Sequence, residues 1–535
     1  MNSAPATGPS APVPLQPVVQ APVPVPALHP AAPPQMRNTS PGTDPRGLKR
    51  AREEGDSGDP EPSSEPVVKQ ARVEPALAPE NPEQALFEAI DAGDTAKFRS
   101  LLTQFPALRD AMDSRADGAT PLCRAARQGR LDIVKLLIQR GAPVDAQAPN
   151  GHTPLMFAAA AGQLEAIDQL CLSGADPDAE NPWIASASAM FFAAGAGQLD
   201  ACKRLASHNA KLMVKNSEGD TCLSCAAARG RTAVVNWLLD QGLAIDEPNN
   251  YGNTALMAAC TEGHFEVVRL LVSRKANLAA KNEEGYTCLI SAASEGHSEV
   301  VNWLLDQDVA IDEVDNFGNT ALMTACREGN FEVVRLLVSR NANLAMKNGE
   351  GNTCLSWAAS EGHAAVVSWL LDQGVAIDEP NNFGNTALIR ACKMGELEVA
   401  KVLASRNANL AAKNGQGDTC LSWAASKGHM EVVSWLLDQR VAVDELDNFG
   451  NTALMAACTE GHFEVVRLLV SRNANLAAKN GQGDTCLSWA ASKGRAEVVK
   501  WLLANGASPD DPNNSQQTPL YHAVNHAVKK NAGML

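Results

Sequence analysis

The sequence predicts a mainly α-helical solenoid of about fourteen units, each a helix-turn-helix with a β-hairpin, behind a disordered amino-terminal tail. Three observations predict it. A Thr-x-Leu triplet recurs at a spacing of 33 residues through most of the chain. Between triplets lie two apolar segments, each too short to be a stable helix alone in water. Before the first triplet, prolines are so frequent that neither helix nor sheet can propagate.

Composition agrees. The 535 residues are 45% hydrophobic and 20% charged, enough apolar material to bury a core. A net charge of −16 with no long basic stripe argues against direct nucleic-acid contact. The 13 cysteines, an odd number spread between Cys123 and Cys486, suggest reduced thiols, not a disulfide framework. No run of 18 apolar residues predicts a membrane span. Prolines interrupt the start of the chain, which lacks the unbroken apolar block of a secretory signal.

The tail, residues 1–80, carries no acidic residue before Asp44. Pro14-Leu15-Gln16-Pro17 has PxxP spacing but no adjoining base, so it reads as a spacer before a docking motif. Lys49, Arg50 and Arg52, echoed by Lys69 and Arg72, resemble a short nuclear-import pattern, in which basic side chains lie extended in an acidic receptor groove. A solvated cluster balanced by Glu53, Glu54 and Asp56 is the alternative.

The triplets start at Thr120 and Thr153, then run from Thr221 through Thr254, Thr287, Thr320, Thr353, Thr386, Thr419, Thr452 and Thr485 to Thr518. Across the gap Ser188-Ala189-Met190 substitutes, and two extra residues near Asn181-Pro182-Trp183 lengthen one loop. In each unit the threonine hydroxyl is placed to cap a first helix, such as 255–261. Gly263 supplies a left-handed stop, and 265–273 forms a second helix with Val267, Val268, Leu270 and Leu271 apolar. Segments of the type Asn-Asn-Tyr-Gly-Asn suit a tight turn between units. The domains are thus a tail, 1–80, and an array, 81–535: a capping unit at 81–115, twelve repeats over 116–513 and a partial unit at 514–535. In the partial unit, His522, Asn525, His526, Lys529 and Lys530 are expected to face solvent as a lid.

Units alternate between a Thr-Ala-Leu-Met type and a Thr-Cys-Leu-Ser type, a period of 66 residues. Residues 254–280 and 452–478 differ only at Lys275 against Asn473, closer than packing demands, which points to tandem duplication. Cysteines sit one per unit (Cys260, Cys326, Cys392 and Cys458 in one type; Cys222, Cys288, Cys354, Cys420 and Cys486 in the other) and read as small buried hydrophobes. Cys222 and Cys225 form a lone CxxC with no second pair for zinc. His264, His297, His363, His429 and His462 each follow the helix-ending glycine and read as structural. Trp237, Trp303, Trp369, Trp435 and Trp501 have the spacing of a core stripe. Lys281, Lys347, Lys413 and Lys479 alternate with Asp-Glu pairs at 246–247, 312–313, 378–379 and 444–445, a candidate register aid between loops.

Asp117-Gly118-x-Thr120-Pro121-Leu122 with Ala125-Ala126 and Gly129-Arg130-Leu131-Asp132-Ile133-Val134, and again Gly151-His152-Thr153-Pro154-Leu155, resemble the ankyrin consensus. From Thr221 to Thr485 the consensus proline is Cys or Ala, which removes some preorganisation of the first helix. The resemblance implies binding of protein partners, no enzymatic activity, no cofactor and a monomer. It implies contact on a concave side built from hairpin tips and first helices, which places Tyr251, Phe317, Phe383 and Phe449 at the tips and Trp357, Trp423 and Trp489 on the helices. Rings lying flat on the next hairpin are the alternative. The start of the tail also resembles type III secretion leaders, which implies delivery by a bacterium into the cytoplasm or nucleus of a host cell. An endogenous eukaryotic scaffold or nuclear adaptor stays open beside it. An enzyme would need its catalytic group in the divergent 181–190 loop.

Overall fold

The structure, a computed structural model, describes residues 81–113 and 119–532. Among them thirteen helix pairs follow one another from Pro82–Ala92 onward, and a single helix, Pro519–Ala532, comes last. One continuous apolar core runs through the array from Ala85 to Ala507. First helices pack on neighbouring first helices more densely than second helices pack on second. No helix could hold its apolar face dry without those neighbours.

The helix boundaries have local chemical causes. Thr254 accepts from the Met257 amide at 3.3 Å, and the first helix runs Ala255–Thr261. The second runs Phe265–Ser273 and buries Val267, Val268 and Leu271. In the Thr-Cys-Leu-Ser units the serine returns the bond: Ser356 Oγ accepts from the Thr353 amide at 2.9 Å while Thr353 Oγ1 accepts from the Ser356 amide at 3.2 Å. This reciprocal cap compensates the proline these units lack. Gly263 ends its helix at φ 73°, and a side chain there would strike the His297 ring, 2.4 Å from its Cβ position.

The connectors are turns more than hairpins. Among the described residues only isolated bridges form, Asn181 with Ala187, Lys215 with Thr221 and Val314 with Thr320. Side chains take over the role of strand bonds. Asn381 Oδ1 accepts from the amides of Phe383 and Asn385, both at 3.0 Å, and closes the turn on itself. Its Nδ2 donates to Asn352 Oδ1 in the preceding unit at 2.8 Å. Equivalent bonds join Asn348 to Asn319, Asn414 to Asn385, Asn480 to Asn451 and Asn513 to Asp484. The ladder breaks where Asp315 and Asp447 replace the donor and bond within their own turns instead.

Other ties also cross each unit boundary. His297 Nε2 meets the Thr261 carbonyl at 2.8 Å and His363 Nε2 the Arg327 carbonyl at 2.8 Å, so each histidine satisfies an end of the preceding first helix. Where histidine is absent, Arg231, Asn330 and Arg495 donate to the same place. Lysine-to-glutamate bridges join consecutive loops as the sequence suggests: Lys281–Glu313 at 2.5 Å, Lys347–Glu379 at 2.5 Å and Lys413–Glu445 at 2.6 Å. On the second helices a further row pairs Arg274 with Asp240, Arg340 with Asp306, Arg406 with Asp372 and Arg472 with Asp438.

Three expectations need correction. The tryptophans of the second helices are only half-buried; they flank the core, with Trp303, Trp369 and Trp501 edge-on to Phe265, Phe331 and Phe463 at 6.2 Å between centroids. The repeat-locked cysteines are buried, as small hydrophobes would be, but they are not isolated one per unit: they meet in pairs across unit boundaries. In the last helix Lys530 is exposed, but the histidines expected to face solvent turn inward. His522 lies 3.4 Å from Asp484, His526 is bonded to the Ser492 carbonyl at 3.1 Å, and Leu520, Tyr521, Val524 and Val528 are exposed.

Candidate interaction face

Each turn presents its tip residue because the side-chain oxygen beneath it, from Asn249, Asp315, Asn381 or Asp447, accepts from the tip amide and holds the backbone in a closed loop. Tyr251, Phe317, Phe383 and Phe449 are 57%, 63%, 59% and 64% exposed. Their carbonyls accept from the next tip, Phe317 from the Gly349 amide and Phe383 from the Gly415 amide, both at 2.8 Å. The backbone under each ring is therefore fixed while the ring stays open to solvent. Between them the tips of the other unit type carry exposed Glu284, Glu350, Gln416 and Gln482, so aromatic and polar tips alternate along the row.

The first-helix tryptophans are placed differently. Trp357, Trp423 and Trp489 are half-buried against the core, and the indole N–H of each is buried with no acceptor. Leaving such a donor unpaired costs about 1–3 kcal/mol. Two of the rings are met by cations: Arg390 stands 4.8 Å and Arg327 5.8 Å from the Trp357 centroid, and Lys393 stands 4.0 Å from that of Trp423. What this face offers at Trp357 and Trp423 is an indole–cation stack, not a bare ring. The reading of these tryptophans from sequence missed the cations. The signal was present, since the unit from Thr386 has Arg390, Lys393 and Met394 where the unit from Thr452 has Ala456, Thr459 and Glu460.

The paired thiols lie in the core beneath this face: Cys260 with Cys288, Cys326 with Cys354, Cys392 with Cys420 and Cys458 with Cys486. Burial and the neighbouring thiol push Cys260 and Cys326 well above the ordinary thiol range, while hydrogen bonding from those thiols draws Cys288 and Cys354 down. Among the described residues no group of three or more His, Cys, Asp or Glu is arranged to hold a metal ion. No described helix is long and apolar enough to cross a membrane.

The lengthened loop is a packed turn. Asn181 Oδ1 accepts from the amides of Trp183 and Ile184 at 2.8 and 3.1 Å, and Ala185 and Ser186 turn the chain at φ 45° and 55°. Ser188 is buried with its hydroxyl unpartnered, and Trp183 is exposed. Lys49, Arg50, Arg52, Lys69 and Arg72 lie outside the described residues.

The profile of a family described as ankyrin repeats (3 copies) matches residues 81–181, 190–282, 275–348, 340–414 and 406–480. A second, ankyrin repeats (many copies), matches 487–527. No curated protein matches the chain. Helix pairs capped by Thr and Gly, joined by asparagine-closed turns and matched by these profiles over most of the sequence, make the chain a member of the ankyrin-repeat family.

Proposed function

We propose that the chain is a binding scaffold whose protein partners lie along the face of turn tips and first helices, and that it acts by binding, without catalysis. Ankyrin repeats are in general protein–protein interaction modules, and that coarse role is the family's. The finer assignment rests on one observation: four rings, one per 66 residues, stand more than half exposed on turns whose backbones are fixed. A phenyl ring in water is an unfavourable use of a turn position unless something covers it. Tyr251, Phe317, Phe383 and Phe449 are the first anchors of this reading, with Trp357, Trp423 and Trp489 beside them.

The test replaces Phe317, Phe383 and Phe449 together with Ser and measures melting and partner capture on the same preparations. Lost capture with little change in melting supports the face. A large fall in melting temperature with capture retained on the folded fraction makes the rings structural and removes them from the site.

The place where binding occurs is a further proposal. A translocation reporter on residues 1–50 separates a secreted effector, with its site of action in a host cell, from an endogenous scaffold. Lys49→Ala with Arg50→Ala and Arg52→Ala should move a fluorescent fusion out of the nucleus if that cluster is an import signal.

A further inference from the structure

The unit from Thr386 breaks the duplication at two positions of its first helix. The units from Thr320 and Thr452 carry Thr324 and Ala456 where it has Arg390, and Glu328 and Glu460 where it has Met394. The next unit adds Lys427 at that last position. Three cations thus gather over two neighbouring first helices.

Arg390 is held rigidly. Its Nε donates to the Ser356 carbonyl at 3.1 Å, Nη1 to Asn352 Oδ1 at 3.0 Å and Nη2 to Ser360 Oγ at 2.9 Å, while its plane meets the Trp357 ring. All of these partners are neutral. Lys393 rests over Trp423, half-buried, and Lys427 is exposed. Among the described residues neither lysine nor Arg390 has a carboxylate within ion-pair distance. Asp418, Glu350 and Glu361 act on the cluster only at longer range. Burial, reinforced by the charges of Lys427 and Arg390, holds Lys393 below the ordinary lysine range. Elsewhere on the array comparable cations are matched, as Arg406 is by Asp372 and Lys413 by Glu445. Half-buried cations without an anion are costly unless a partner brings one.

We propose that Arg390, Lys393 and Lys427, backed by the indoles of Trp357 and Trp423, form a binding site for an acidic, carboxylate-bearing segment of a partner protein. The inference rests on the reading of this face as the partner surface and names the chemistry of one stretch of that partner. Arg390, already fixed by three bonds, sets the field, and the two lysines supply the free donors. The indoles exclude water from one side of them and strengthen the interaction. A carboxylate suits free ammonium donors, and apolar residues beside it would cover Met394, which is exposed.

The experiment uses the full chain and a fluorescein-labelled Glu-Glu-Leu-Glu-Glu-Leu-Glu-Glu peptide, read by fluorescence anisotropy at low salt. Lys393→Gln with Lys427→Gln should weaken binding about tenfold or more and flatten its dependence on salt. Lys427→Glu alone, at an exposed side chain, should weaken it without touching the fold. Lys203→Gln with Lys211→Gln, two exposed lysines on other units, should leave it unchanged. Equal losses in that control, or full affinity in the Lys393/Lys427 variant, overturn the site. Binding of the phosphoserine counterpart with none of the glutamate peptide overturns the carboxylate assignment. The triple Phe→Ser variant should bind this peptide normally, so failure of the tip row and failure of the cation site are told apart.

Discussion

Asn381 concentrates the logic of the array in one side chain: it closes its own turn with two accepted bonds and ties that turn to the previous unit with one donated. It is buried, so Asn381→Ala leaves two amide donors without their acceptor and the Asn352 oxygen with only its bond from Arg390. A loss of about 2–3 kcal/mol is expected, measured as the shift of the urea unfolding midpoint. Asn381→Asp keeps both accepted bonds and loses only the donated one, as Asp447 does in its own turn. It should cost no more than about 1 kcal/mol. Equal losses in the two variants would mean that the cross-unit rung, not the turn closure, carries the stability. Sequence disclosed much at this scale. Thr254 and Gly263 bracket the first helix as a cap and a stop must, because both act within three residues. The rungs between asparagines were not legible, since their partners sit 29 residues apart and a consensus turn explains asparagine equally well. The cations over Trp357 and Trp423 escaped for the same reason: Arg390 reaches Trp357 only after two units stack.

At the scale of the element, polarity alone misled and phase would not have. In the last helix Leu520 and Val524 hold the positions of Leu322 and Cys326, which are buried in the core of the array, Cys326 against Cys354 of the next unit. No second helix follows among the described residues, so the apolar side keeps its phase and lies open. The polar His522 and His526 keep the phase that faces the preceding unit. Leu520→Gln with Val524→Gln should therefore change the unfolding midpoint by no more than about 0.5 kcal/mol, whereas a buried pair would cost several times that. A large loss in that variant would show the face to be covered in solution. The thiols make the complementary prediction for the element boundaries. Cys171 is pushed up to about 11 and Cys202 to about 12, in both cases chiefly by burial. A thiol-disulfide reagent at neutral pH should label the native chain slowly, with the pairs Cys260–Cys288 and Cys392–Cys420 silent until denaturant is added. Rapid labelling of Cys288 in the native protein would mean that neighbouring units part readily.

For the whole molecule the alternation of unit types is a matter of complementary faces, and this yields a prediction against intuition. Removing residues 320–385, two units, joins the unit from Thr287 to that from Thr386. Arg406 then meets Asp306, which occupies the place of Asp372, and Arg390 meets Ser294 in the place of Ser360. Removing only residues 353–385 joins two units of the same type. Arg406 then faces Ser339, Lys347 loses Glu379 to Ala412, Phe331 loses the edge of Trp369 to Val402, and Arg390 comes against Arg327. Each surface ion pair is worth about 0.2–1 kcal/mol and the aromatic contact about 0.5–1.5 kcal/mol, with like-charge repulsion added. In a solenoid, stability is close to a sum of units and the interfaces between them, so one poor interface weakens a chain that is otherwise longer. The shorter chain, left by the 66-residue excision, should therefore have the higher unfolding midpoint of the two, and the 33-residue excision should show early hydrogen exchange at its new junction. If the chain that keeps more units is instead the more stable, the interfaces are interchangeable. The two-unit period would then be a relic of duplication with no structural meaning.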